Sequence, residues 1–217
     1  NRWGGAAVEA APSGSRLQQA LQPKIRALFL AAPRNGSSGR AREEALLRGV
    51  ASTDVQVSRA AIDLAGASGS PRAVEPLVAA LYDSRERVRL QAARALGRLG
   101  DARAVPALIA ALQSEDELLA ALAKDALVDL GALAVPALAQ ILNAEQASDE
   151  VRWLAARALA RIGDTRSLPT LVRHLNDPNY GVRWLAADGL IAMGSEGLRA
   201  VLQALTTQPV NPWLADG

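Results

Sequence analysis

The chain has 217 residues, a formal net charge of +2 and no cysteine, and half of it is hydrophobic although only 3% is aromatic. Disulfides, thiol catalysis and cysteine metal sites are therefore excluded, and the small charge gives no electrostatic case for a nucleic-acid or membrane partner. The longest apolar runs, such as 104–112, fall far below the roughly 20 residues a spanning helix needs, and the absence of cysteine fits a reducing, cytoplasmic compartment.

Residues 1–14, rich in Gly, Ala, Ser and Pro, are predicted to be a disordered lead. The first residue is not methionine, which is compatible with a processed or truncated N-terminus or a removed export signal. Residues 15–39 are predicted to hold an N-terminal capping helix, Leu17 to Leu30 with an interruption at Pro23, and a flexible joint at Asn35-Gly36-Ser37-Ser38-Gly39.

From 40 to 206 the sequence repeats itself. The stretch Val88-Arg89-Leu90-Gln91-Ala92-Ala93-Arg94-Ala95-Leu96 returns as Val151-Arg152-Trp153-Leu154-Ala155-Ala156-Arg157-Ala158-Leu159. Gly69, Gly100, Gly131, Gly163 and Gly194 are spaced by 31, 31, 32 and 31 residues, and two further columns keep step with them: Val57, Val88, Leu119, Val151, Val182 and Ala61, Ala92, Ala123, Ala155, Ala186. A fixed period of this length marks an array of stacked supersecondary units. The alanine column suits a close crossing of two helices, and the glycines fall where left-handed geometry ends a helix.

Each period reads as two helices. The first, or A, helix carries an i, i+3, i+7 apolar stripe: Val74, Leu77, Leu81, then Val105, Leu108, Leu112, then Val135, Leu138, Leu142, then Leu168, Leu171, Leu175, and last Leu198, Val201, Leu205. Pro106, Pro136 and Pro169 fall in or near its first turn, where a missing N–H costs little. A short polar turn then leads to the second, or B, helix, whose apolar stripe is wider. No window alternates with period two, so no strand is expected. At the end of the chain, residues 207–217 read as a tail or truncated repeat, because Trp213-Leu214-Ala215-Asp216-Gly217 echoes Trp184-Leu185-Ala186-Ala187-Asp188-Gly189.

The pattern Val-Arg-x-x-Ala-Ala-x-Ala-Leu-Gly-x-Leu-Gly-Asp-x-Arg-Ala-Val-Pro-x-Leu resembles the short HEAT-like repeat of the phycobilisome-lyase repeat family, over roughly residues 40–205. The resemblance implies an all-α, α-α superhelix: a HEAT-like solenoid of about five helix pairs plus capping helices. The match has gaps. Ala120 stands where Arg89, Arg152 and Arg183 stand in their repeats, and Gly131-Ala132 and Gly194-Ser195 lack the Gly-Asp step. If the family's Arg-to-Asp ladder links neighbouring repeats, Arg89, Arg152, Arg183, Asp101 and Asp164 are the residues to supply it.

Chemistry-bearing clusters are few. The single histidine, His174, is expected to be solvated near a helix C-terminus. Glu43-Glu44, Glu115-Asp116-Glu117 and Asp149-Glu150 are expected at helix starts, where negative charge offsets unpaired N–H groups. No catalytic residue, cofactor site or metal site is assigned.

The outward positions of the B helices carry the functional expectation. Trp153, Leu154, Arg157 and Arg161 on one helix, Trp184, Leu185 and Asp188 on the next, and Leu90, Arg94, Arg98 and Leu122 on earlier ones form an apolar row rimmed by charge. A row of this kind has the composition of a protein-binding surface. The expected function is a non-catalytic scaffold whose concave B-helix face holds a segment of a partner protein or peptide. The resemblance implies a second candidate, a bilin lyase subunit or phycobilisome assembly factor. A third is a HEAT-like DNA glycosylase, with Trp184 and Asp188 one turn apart and Asp188 steadying a cationic transition state; the near-neutral groove disfavours it.

Overall fold

The computed structural model describes residues 38–207. The predicted lead, the capping helix and most of the joint, and nearly all of the C-terminal tail lie outside them. Eleven α-helices and no strand occur among the described residues. In chain order they are α1 (Ser38–Val50), α2 (Val55–Ala67), α3 (Val74–Ala80), α4 (Glu86–Leu99), α5 (Val105–Leu112) and α6 (Glu117–Leu130), followed by α7 (Val135–Leu142), α8 (Asp149–Ile162), α9 (Leu168–Arg173), α10 (Tyr180–Ala192) and α11 (Ser195–Thr207). Odd numbers are A helices and even numbers B helices, so five antiparallel pairs are followed by one further A helix.

Local chemistry sets these boundaries. Asp54, Asp116, Ser148 and Asn179 each accept backbone N–H bonds at the start of a B helix, satisfying donors that have no partner within the helix. After each B helix a glycine takes positive φ: Gly69, Gly100, Gly131, Gly163 and Gly194 lie between 57° and 73°, and no other described residue does so. Pro106, Pro136 and Pro169 occupy the first turn of their A helices, as predicted. The A helices α3, α5, α7 and α9 are entered through single 3-10 turns at Pro71–Ala73, Ala102–Ala104, Gly131–Leu133 and Thr165–Ser167.

The core runs along the array between the two layers. Leu77, Leu108, Leu138 and Leu171 from the A helices meet Leu96, Leu127 and Leu159 from the B helices, all at 0% exposure. The alanine column is equally closed, with Ala92, Ala123, Ala155 and Ala186 at 0%. Successive B helices lie against one another over much of their length, whereas successive A helices touch only sparsely. The more crowded layer is the inner side of a bend, so the B helices line the concave side.

The last A helix departs from expectation. Leu198, Leu202 and Leu205 of α11 are 62%, 54% and 45% exposed, although Leu198 and Leu205 belong to the predicted buried stripe. In the earlier pairs the following B helix covers that stripe, and among the described residues no B helix follows α11. Glu43 and Glu44 also differ: they lie in the middle of α1, where Glu43 accepts bonds from Ser70 and, at 2.9 Å, from Arg72 of the next repeat.

Candidate functional site

The B helices approach one another through their smallest residues. A Cβ on Gly66 would lie 2.7 Å from the Cβ of Ala95, one on Gly97 2.9 Å from the Ala126 Cα, and one on Gly189 2.9 Å from the Ala160 Cβ. The first, second and fourth joints of the B layer are therefore zipped glycine to alanine. The third, between α6 and α8, is different: Val128 occupies the position of Gly66 and Gly97, and this joint is the sparsest of the four. Lys124 stands in the column of Ile62, Ala93, Ala156 and Ala187, buried at 7%, and its Nζ reaches Asp125 at 2.8 Å.

This close stacking determines which predicted site residues reach solvent. Arg94, Arg98, Arg157, Arg161, Trp184 and Asp188 are exposed, and Trp153, Leu90 and Leu122 are half-buried against the core. Leu154 and Leu185 are not on the surface: they are 7% and 5% exposed and belong to the core. Each lies one residue, about 100°, beyond the outward tryptophan, which turns it toward the preceding repeat. The apolar row is thus narrower than its sequence implies.

The two tryptophans also part company. Trp153 lies across the start of the next B helix, where its indole is so close to Gly181 that a Cβ there would sit 2.9 Å from the ring. Trp184, with no described B helix after it, is 56% exposed. The Arg157 guanidinium lies over the Trp153 ring, 5.0 Å from its centre, a cation–π arrangement.

Charged pairs cross the ridge from repeat to repeat. Arg98 reaches back to Asp63 at 2.6 Å, and Gln91 donates to the same carboxylate. Arg161 reaches back to Asp125 at 2.7 Å. Burial pushes the Asp125 carboxyl up, but the bonds from Lys124 and Arg161 together hold it below the usual range. Arg94 and Asp129 occupy the same two positions with the signs exchanged.

A second ladder takes a course the sequence did not reveal. Arg89 pairs with Asp116 at 2.8 Å and Arg152 with Asp177 at 2.7 Å, both acids of the loop entering the next B helix, while Arg183 donates to the backbone oxygens of Asp177 and Pro178. Asp101 and Asp164, the expected acceptors, serve elsewhere. Each caps its own 3-10 turn and is gripped by a guanidinium, Arg103 or Arg166, which holds its pKa down at about 2. Those arginines then bond Pro71 and Ala132 carbonyls one repeat back, at 2.7 and 2.8 Å.

His174 is buried, not solvated. Its Nδ1 lies 2.8 Å from the Asp177 carboxylate and its Nε2 3.1 Å from the Asn143 amide oxygen. With Arg152 on the same Asp177 oxygen, these residues form a polar network that ties the loop at 143–148, within the fourth helix pair, to the loop before α10 in the fifth. The one 32-residue spacing, from Gly131 to Gly163, spans this loop; the network left no mark in the sequence.

Asp188, the residue named for the glycosylase alternative, is exposed on α10 one turn from Trp184. No group of acidic or histidine residues able to hold a metal occurs among the described residues, and no described helix is long and apolar enough to cross a membrane. A cleft of about 530 Å³ between α9 and α11, with Arg173 on its wall, opens in the A layer, away from the ridge.

The model for HEAT repeats matches residues 43–128 and 135–216. The chain belongs to the HEAT repeat family. No curated protein matches it in sequence. Among solved structures this HEAT-repeat chain is similar to a chain of the CpcE–CpcF complex of phycocyanin lyase from Nostoc sp. PCC7120, at 26% identity and a TM-score of 0.51, covering 78% of this chain and 72% of that one. The archaeal HEAT-like repeats protein from Thermococcus onnurineus NA1 aligns over 95% of this chain and 94% of its own, at 15% identity and a TM-score of 0.52, a likeness of fold.

Proposed function

We propose that the protein is a non-catalytic scaffold that holds a segment of a partner protein on the concave B-helix ridge, centred on Trp153, Arg157, Trp184 and Asp188. One observation carries the reading: Trp184 stands 56% exposed one helix beyond a guanidinium lying on the Trp153 indole. Aromatic and arginine side chains side by side on a concave surface are the residue types that dominate binding energy at interfaces. Arg94, Arg98 and Arg161 extend the ridge toward the N-terminal repeats.

Cross-linking mass spectrometry on a captured partner tests this. Links concentrated on α8 and α10, together with a loss of about 2 kcal/mol or more of binding in Trp184→Ala, are the expected result. Links confined to the A helices would overturn it.

A second reading, a subunit of a bilin lyase or a phycobilisome assembly factor, is supported by the 26% identity to the phycocyanin lyase chain. Its test is direct binding to phycocyanin; no interaction with either the bilin-loaded or the bilin-free form rejects it.

A further inference from the structure

We infer that the segment bound on this ridge carries a carboxylate that seats on Arg157. The inference rests on the ridge being a partner-binding face, and it comes from a break in the ridge's charge pairing. At one joint Asp63 meets Arg98, and at another Asp125 meets Arg161; Arg94 and Asp129 stand at the equivalent positions between them. Each of these rungs is neutral. At the next rung the position of Arg98, Asp129 and Arg161 is Ala192, and among the described residues Arg157 is left without an ion pair.

Among the described residues the contact of the Arg157 guanidinium is with the Trp153 ring, at 5.0 Å. A guanidinium laid over an indole keeps its N–H donors at the rim, in the plane of the group, where a carboxylate takes two of them at once. The ring also restricts the side chain before any ligand arrives, which lowers the entropic cost of binding. Asp188, at the corresponding position on α10, makes no ion pair with Arg157 among the described residues. Neighbouring helix axes lie roughly 10 Å apart, about three residues of extended chain at ~3.3 Å each. The complementary segment is therefore an extended peptide with an acidic residue and, two to three residues away, a basic or hydrogen-bond-donating one. Its intervening side chain lies against Trp184. A polyanion fits less well, because Asp188 would face its next phosphate.

The probe is a display library of random unstructured peptides, selected on the full chain and on the Arg157→Ala and Arg157→Glu variants, with a single-stranded oligonucleotide as an added ligand. The wild type should enrich Asp- and Glu-containing segments. A Glu→Gln change in a selected peptide, or Arg157→Ala in the protein, should weaken binding about tenfold or more, the size of one charge-assisted hydrogen bond. Arg157→Glu should turn the preference toward Lys and Arg. Arg157 is exposed, and a thermal melt confirms that each variant is folded; Arg157→Gln replaces any that is not.

Selection without acidic bias, or equal binding by Arg157→Ala, overturns the inference, as does Arg157-dependent capture of the oligonucleotide in place of peptides. Trp184→Ala separates the two levels. If it weakens the selected peptides while Arg157→Ala does not, the acidic anchor alone fails. If neither matters, or no peptide is recovered, the ridge is not the binding face and both fail.

Discussion

Gly97 sits so close to α6 that a Cβ on it would lie 2.9 Å from the Ala126 Cα, a backbone atom that cannot step aside. The same spacing rule governs Ala92, Ala155 and Ala186, which are closed to solvent. Gly97→Leu or Ala155→Leu forces helices apart or drives side chains off their rotamers, and each should cost on the order of 1–3 kcal/mol. Urea denaturation of the single variants checks this; unchanged midpoints would contradict the packing.

Acid should loosen the loops before the core. Asp83, Asp101 and Asp164 are held near pKa 2 from a starting value of 3.8, first of all by side-chain bonds from Arg85, Arg103 and Arg166. Because the folded value is the lower one, the stabilisation is complete above pH ~4 and is lost as pH falls through 4 toward 2. Asp101→Asn and Asp164→Asn together should flatten that part of a stability-against-pH curve and leave the neutral-to-alkaline part unchanged in shape.

Asp177 is the most consequential single acid. Its side chain is 1% exposed and receives both Arg152 and His174. Asp177→Ala leaves the largely buried Arg152 guanidinium with only the exposed Asp149, at 2.7 Å, as its acid and takes a carboxylate partner from His174, which should cost roughly 2 kcal/mol. Arg152→Leu made on top of it should recover part of the loss, since the half-compensated buried charge is then gone; a thermal-melt cycle of the two substitutions measures the recovery.

The tryptophans should respond unequally to truncation. Trp184→Ala removes an exposed ring and should change stability by less than about 0.5 kcal/mol. Trp153→Ala uncovers the start of α10 at Gly181 and should cost roughly 1–2 kcal/mol. Equal losses in chemical denaturation would show that both rings are core.

The array itself was legible because its signals are local and repeated: glycine after each B helix, proline in the first A turn, alanine where helices cross. The ridge was legible only in part. Periodicity placed Trp153 and Trp184 outward, but it did not separate them from Leu154 and Leu185, because a B helix is covered on three sides and a step of one residue crosses from open to closed. The partners of Arg89 and Arg152 were hidden for another reason. A long flexible side chain can reach more than one of the acids that follow it in the chain, and only the fold shows that Asp116 and Asp177, not Asp101 and Asp164, receive it. His174 was misjudged because its neighbour Asn143 is 31 residues away in sequence.

In a stack whose units touch only their neighbours, load passes through the joints in series, and springs in series yield first at the softest one. Val128 puts that link between α6 and α8. Tension along the superhelix would therefore open this seam ahead of the glycine-zipped ones. A ligand seated on α8 and α10 would ride on the stiff C-terminal segment, while the first three pairs swing about Val128 as a lever arm.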